Sequence, residues 1–496
     1  MEPGECGTDI LLRGVKKYSK GVPWTLLRNS STSTNQRSKR GAKQAKFRPI
    51  KLRFYKDPFI AKALSKEQNS MFNEVVASTQ RFFESLILIN EPPSQYTFGD
   101  LLSYSQDDYG CSSPDAMNLT NADYMKRFNL REKTNADLTI LLFARACGES
   151  AATKRVLGMS TPCKLGGASG LRPIGAKMLI CKRTIASNRK KLEATLKHEM
   201  VHALGFVGWV VDLSGKYRKD TWNWKVNSQF SYERRFILFT GSRAVNALRR
   251  HSSCSDVAGV EFEDAKSGGQ LSRTSHWETR VFGNEIMTAS VPSNGQAYFS
   301  ELTASFLEDV CGYRVRRQII RQDMNDYWYG NGNGCDFLTK SCYEYMRQAP
   351  LPGGAPAFPF CTYANAQATR GGRSTVTVCS KRVGVKMGCA LTDVANGAHG
   401  ARQQYFLDEG DETLTGSDEK ADSCPSFKYW ALEFPHDFGE VTDCNDLSKV
   451  VGPETGSAQA MALSKAPLPP SSVTVFGVIW RLALQSACIA FFGAHF

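Results

Sequence analysis

His198-Glu199-Met200-Val201-His202 is the stretch of this 496-residue sequence whose residue types and spacing most directly do chemistry. Residues four apart share one helix face, so the two imidazoles can reach a single metal ion. Imidazole nitrogen suits Zn²⁺, and two His with one further protein ligand leave a coordination position for water. A bound zinc lowers the pKa of such a water to about 7. Glu199, one residue past the first His, stands close enough to take its proton. The chemistry implied is metal-assisted hydrolysis. The same pattern also fits a buried helix whose two His are satisfied core side chains, and by itself it leaves both open.

Positioning these side chains requires a helix and a surface to hold it. Ser187 or Asn188 can cap the lead-in, Leu192, Leu196 and Leu204 keep a helical spacing, and Gly205 is the expected stop. Upstream, Ile50 to Phe54 alternates apolar and charged, which predicts a strand. Ser65-Lys66-Glu67-Gln68 is a capping box. It opens a helix with Phe72, Val75, Val76, Thr79, Phe82, Phe83, Leu86 and Ile87 on one core-facing stripe. Asn90 to Thr134 is polar and loop-rich, Leu138 to Ala146 reads as a buried strand, and Cys147 to Gly170 as a long loop. Ala176 to Cys181 is a second strand leading into the His198 helix. Past Gly205 the chain is polar and aromatic to about residue 250, and Ser300 to Asp309 predicts a short amphipathic helix.

The length suits two or three domains. The formal charge of +14 is concentrated: residues 1–56 hold fourteen Lys and Arg against Glu2, Glu5 and Asp9, leaving about +3 for the rest. Such an arm is a solvated leader, or else a contact for nucleic acid or an acidic surface, and it has few aromatics and no nucleic-acid motif. Arg37 to Gly41 reads as a protease-sensitive site. Fifteen Cys without a C-x-x-C pair point to disulfides in an oxidising compartment. An odd number leaves at least one thiol free, removed or intermolecular. The sequons at Asn29 and Asn118 are candidate glycosylation sites. No apolar run follows Met1 as a signal peptide would. Either the sequence starts late or the chain is not secreted, and the cysteines favour the first. Residues 473–494 are mostly apolar with Arg481 near the middle, behind Gly456-Ser457-Ala458. That is the layout of a GPI-anchor signal, or else a misread end.

From about Arg48 to Val450 the chain resembles the leishmanolysins, surface metalloproteases within the metzincin zinc proteases. The resemblance is carried by His198 to Phe206, by Ser275-His276-Trp277-Glu278 with Asn284 to Thr288, and by Gly334 to Cys342. A standard metzincin reads H-E-x-x-H-x-x-G-x-x-H, and here the third His would fall at Gly208. In leishmanolysins an insertion displaces that His into an S-H-W-E segment. His276, 71 residues after Gly205, fits it, and Met287, eleven residues further, matches the Met-turn. His251 is the one rival and lacks the flanking residues. The family layout also suggests a Cys254–Cys335 disulfide. Two departures stand out: Val207 replaces a small polar residue, and the pro-segment cysteine has no match beyond Cys6, which reads rather as an ordinary unpaired or mispaired thiol.

The resemblance implies an α+β fold: a metzincin-like catalytic domain of twisted sheet plus active-site helix, an inserted central subdomain, and a Cys-rich, loop-rich C-terminal domain. The expected boundaries are a basic leader over 1–47, a catalytic subdomain with the zinc helix over 48–208, and an insertion with third ligand and Met-turn over 209–318. A Cys-rich domain over 319–455 and a tail over 456–496 follow. It implies one Zn²⁺ on His198, His202 and His276, Glu199 as general base, and endopeptidase activity on proteins. It also implies a secreted or cell-surface location and a role in adhesion or host interaction; the tail adds a GPI anchor to the membrane, and the composition of the arm leaves no nucleic acid expected. Two rival readings are a catalytically silent leishmanolysin-like surface adhesin and a nucleic-acid binder working through the basic arm.

Overall fold

The computed structural model describes residues 47–90, 135–147, 156–166, 171–263 without 227, 274–292, 296–347 and 419–428, with shorter pieces that include 4–6, 376–379, 384–389 and 414–416. It is a mixed α/β structure. Its strands are β1 (Gly4–Cys6), β2 (Arg48–Pro49), β3 (Leu52–Lys56), β4 (Ile87–Ile89), β5 (Leu138–Arg145), β6 (Val156–Gly166), β7 (Arg172–Cys181), β8 (Tyr217–Lys225), β9 (Ser231–Phe239), β10 (Val260–Glu261), β11 (Ser290–Val291) and β12 (Arg314–Val315). The helices that matter to the site are α1 (Lys66–Leu86), α2 (Arg189–Ala203), α3 (Gly208–Ser214), α4 (Ser242–Ser252), α5 (Thr279–Phe282) and α6 (Glu301–Cys311).

The largest sheet runs β11-β1-β6-β7-β5-β3. β3, β5 and β7 are parallel, while β6 returns antiparallel to β7. β5 is buried from Leu138 to Ala144, as a strand covered on both faces must be, and its apolar run follows from that. The first expected strand is shifted: it occupies Leu52 to Lys56, and Ile50 instead donates its N–H to Ile87 O at 3.0 Å. α1 begins at the Ser65 capping box, with both reciprocal bonds made; such a cap stabilises by about 1 kcal/mol. Phe72, Val75, Val76, Thr79, Phe83 and Leu86 are its buried stripe.

The long loop expected from Cys147 to Gly170 is instead largely the eleven-residue strand β6. Its small residues read as loop, but the tertiary structure uses them for close approach. A Cβ on Gly158 would lie 2.8 Å from Glu199 Oε1, and one on Gly166 would lie 3.0 Å from Ile174. The register slips between Pro162 and Leu165, where a proline cannot donate to the ladder. The Cys147–Cys181 disulfide joins the chain just past β5 to the end of β7.

α2 is capped by Asn188, whose side chain accepts from Lys191 N at 2.8 Å, while Ser187 donates to Thr184 O. Residues 198–203 are buried on every face, so this half of the helix is core. The helix ends at Ala203, and Gly205 has φ +117, in the region that favours glycine. A Cβ there would also strike Cys311 Sγ at 2.5 Å. Cys311 is the free cysteine among the described residues.

Between Gly205 and His276 the chain builds α3, the antiparallel β8–β9 hairpin, α4 and the short β10 that extends the hairpin to three strands. α6 spans Glu301 to Cys311 behind the Ser300 cap, two residues longer than expected at its end. Most of the expected Cys-rich region lies outside the described residues, as do Asn29, Asn118 and nearly all of the tail. What is described there includes the Cys342–Cys424 disulfide. Among the described residues no helix is long and apolar enough to cross a membrane.

Candidate metal centre

α2 brings His198 and His202 one turn apart, with ring centroids at 4.7 Å. The third ring at this point is His276, whose centroid lies 5.4 Å from His198 and 5.0 Å from His202. Ring nitrogens of all three lie within 4.8 Å of one another, and all three residues are buried. Glu199 is buried on the same helix, against Gly158 of β6. His251, on α4, is elsewhere: it contacts Tyr329 O at 2.7 Å and stacks on Tyr327.

The hydrogen bonds define how this donor set presents itself. His198 Nδ1 meets Ile286 O at 2.5 Å, and His202 Nδ1 meets Phe206 O at 2.6 Å. A carbonyl only accepts, so both Nδ1 atoms carry protons, and Nε2 is the nitrogen each ring has left for a metal. Those Nε2 atoms face each other at 3.0 Å. Burial, and then the neighbouring His198, hold the His202 ring well below the ordinary imidazole range, which disfavours a proton between them. Burial, followed by His202, His198 and Lys420, does the same to His276. Both ring nitrogens of His276 are buried without a hydrogen-bond partner, an arrangement that costs about 1–3 kcal/mol per unpaired polar atom. Three buried imidazoles with converging ring nitrogens fit a zinc ion.

His276 reaches this point through tertiary packing. Trp277 is fully buried, with Phe262 stacked at 5.1 Å and Phe206, just past the end of α2, at 4.7 Å. Aromatic pairs of this kind contribute about 0.5–1.5 kcal/mol beyond their burial. Phe306 of α6 packs on Phe206 at 4.1 Å and closes the cluster. Trp277 N donates to Met287 O at 2.9 Å, and Met287 is fully buried.

A buried ionic cluster holds the other side of the segment. Arg234 of β9 bonds Glu261, and it also bonds Glu278 at 3.1 Å and Asp422 at 3.1 Å. Arg280 reaches Glu261 and the carbonyls of Phe337 and Leu338. Glu278 caps α5 by accepting from Arg280 N. Burial first, then the Glu263 and Asp422 carboxylates, push the Glu278 carboxyl well above the usual range. Cys254 and Cys335 are joined, enclosing the segment that carries His276 and Met287.

Sequence reasoning gave no role to Gly158, Arg234, Glu285, Ser300 or Thr303. Glu285 stood inside the quoted Asn284 to Thr288 segment, and Ser300 and Thr303 inside the expected helix; their contacts are long-range, and no spacing announces them.

The leishmanolysin family model matches residues 131–439, more than half of the chain. A leishmanolysin-like peptidase of Caenorhabditis briggsae is 28% identical over 306 residues, covering 53% of this chain and 44% of the relative. A leishmanolysin homolog of Crithidia fasciculata is 38% identical over 98 residues, 20% of this chain and 14% of the relative. A ciliated left-right organizer metallopeptidase of Danio rerio is 26% identical over 215 residues, 42% of this chain and 33% of the relative. The chain thus spans less than half the length of these curated relatives. The family match covers the His198 helix, the His276 segment and the Met287 turn alike, and the chain belongs to the leishmanolysin family.

Proposed function

We propose that this chain is a zinc-dependent endopeptidase with a metzincin-type centre, in which His198, His202 and His276 hold the ion and Glu199 is the general base. The observation that carries the reading is the convergence of the three buried imidazoles, two of them with Nε2 atoms facing at 3.0 Å. When bound, zinc supplies a Lewis acid for the scissile carbonyl and lowers the pKa of a water to about 7. Glu199 would hold a proton drawn from a water in the site at a carboxylate oxygen and return it to the leaving amine. Gly158 leaves room for the Glu199 carboxylate between α2 and β6. Met287 serves as an apolar floor to the site. The substrates are proteins or peptides, in keeping with the peptidase names of the relatives. The fifteen cysteines favour an oxidising, secreted or surface location.

Zinc content measured beside casein cleavage, with and without a chelator, tests this. The purified chain should carry about one zinc and lose cleavage on chelation. Glu199→Ala should keep the zinc and lose about 10²–10⁴ in kcat. Zinc-independent cleavage, or full activity in Glu199→Ala, would sink the reading.

A further inference from the structure

The peptide joining Ile286 to Met287 faces two ways. Its carbonyl accepts from His198 Nδ1 at 2.5 Å, and its N–H donates to Glu285 Oε2 at 2.5 Å. A trans peptide is planar, with C=O and N–H pointing in opposite directions. Fixing the N–H therefore aims the carbonyl. A carboxylate on the N–H also polarises the peptide and makes its oxygen a stronger acceptor.

The other oxygen of Glu285 is held just as firmly. Oε1 accepts from Ser300 Oγ at 2.6 Å, Thr303 Oγ1 at 2.6 Å and Ser300 N at 3.3 Å. Glu285 is fully buried, and burial raises its pKa while these donors oppose the rise. Thr303 Oγ1 donates to Glu285 and accepts from Trp277 Nε1 at 3.1 Å. Trp277 adjoins His276, whose own ring nitrogens have no hydrogen-bond partner. The orientation of His276 therefore rests on how its segment is anchored.

Resting on the zinc-centre reading above, we propose that Glu285 is a positioning residue for the metal ligands. It acts on His198 through the Ile286–Met287 peptide and on His276 through Thr303 and Trp277. Metal-bound histidines commonly donate their second ring N–H to a carboxylate or a carbonyl; here one peptide stands between carboxylate and imidazole. α6 thereby reaches the metal centre without contributing a ligand.

The test uses the full chain and the variants Glu285→Gln, Thr303→Val and Thr303→Ser. Gln is isosteric, but its amide NH₂ must face either the Met287 N–H or the Ser300 and Thr303 donors. Zn²⁺ affinity is read by competition with a chromophoric chelator, and ligand geometry by the visible spectrum of the Co²⁺-loaded chain. Glu285→Gln should bind Zn²⁺ 10–100-fold more weakly, shift the Co²⁺ bands and lower kcat on casein with KM little changed. Thr303→Val should move in the same direction, and Thr303→Ser, which keeps the hydroxyl, should restore parent values. Parent affinity and an unshifted spectrum in folded Glu285→Gln would overturn the proposal. If that variant does not fold, Thr303→Val decides, and parent values there overturn it. A parent chain that binds Zn²⁺ but cuts nothing would sink the peptidase reading while leaving this test intact. A parent that binds neither metal would end both.

Discussion

The centre is assembled from two regions built on opposite principles. His198, Glu199 and His202 lie on successive turns of α2, so the helix backbone fixes where their side chains start. His276 sits in an irregular stretch just ahead of the isolated bridges at Trp277 and the four-residue α5. No local periodicity fixes it. Its place depends on Trp277 in an aromatic cluster, on Arg234 and Arg280 in a buried ionic cluster, and on a disulfide. A helix supplies geometry cheaply through short-range bonds, whereas a loop ligand needs many distant contacts to reach the same precision. Disruption should therefore act differently on the two sides.

The largest expected contrast is between two histidines of the inserted half. His276→Ala should abolish zinc binding and casein cleavage together. His251→Ala removes a contact to Tyr329 O and a stack on Tyr327, so it should keep both. Metal analysis with activity assays checks this, and a zinc-loaded, active His276→Ala would break the comparison.

Next comes the staple on the loop side. Replacing Cys254 and Cys335 together by Ser should cost about 2–4 kcal/mol of stability. It should loosen zinc while leaving the α2 helix signal intact. Denaturant unfolding and zinc competition read the two effects separately. Unchanged zinc affinity would show that the aromatic and ionic clusters suffice to hold His276.

On the helix side, Gly158→Ala places a methyl 2.8 Å from Glu199 Oε1. The carboxylate must shift while the His ligands stay put. Zinc affinity should be unchanged, and kcat should fall about tenfold, a barrier change of about 1.4 kcal/mol. Equal losses of zinc and kcat would mean that β6 supports the ligands as well as Glu199.

The smallest effect concerns the junction of the two regions. Cys311 packs against Gly205 at the end of α2, and burial pushes its thiol up to about 12. Native protein at pH 8 should leave Cys311 unlabelled by iodoacetamide, and unfolding should expose it. Peptide mass mapping before and after denaturation checks this; rapid native labelling would show that the junction opens.

Much of α1 and of the sheet was legible because the evidence is local. The Ser65 capping box, the stripe from Phe72 to Leu86 and the apolar run of β5 each follow from residues within a few positions of one another. β6 was misread as loop because glycine, serine and proline usually break structure. Its Gly158 serves a contact with a helix 41 positions further along the chain, and only the folded chain reveals that. The β8–β9 hairpin was likewise unassigned. Its strands are amphipathic, with Arg234 pointing inward to a buried ionic cluster, which defeats a simple polar-out reading.

By itself the sequence determined the helix-borne half of the site, since a spacing of four residues on a helix is a geometric statement. Through family resemblance it also nominated His276, Met287 and the Cys254–Cys335 pair. Only the tertiary structure decided that the three rings converge, that two Nε2 atoms face each other, and that Glu285 accepts from the peptide behind His198. The reason is physical. Helix geometry is repeated every 3.6 residues by the backbone, but the meeting of residues 198 and 276 depends on side chains from β9, α5 and α6 packing and hydrogen-bonding at once.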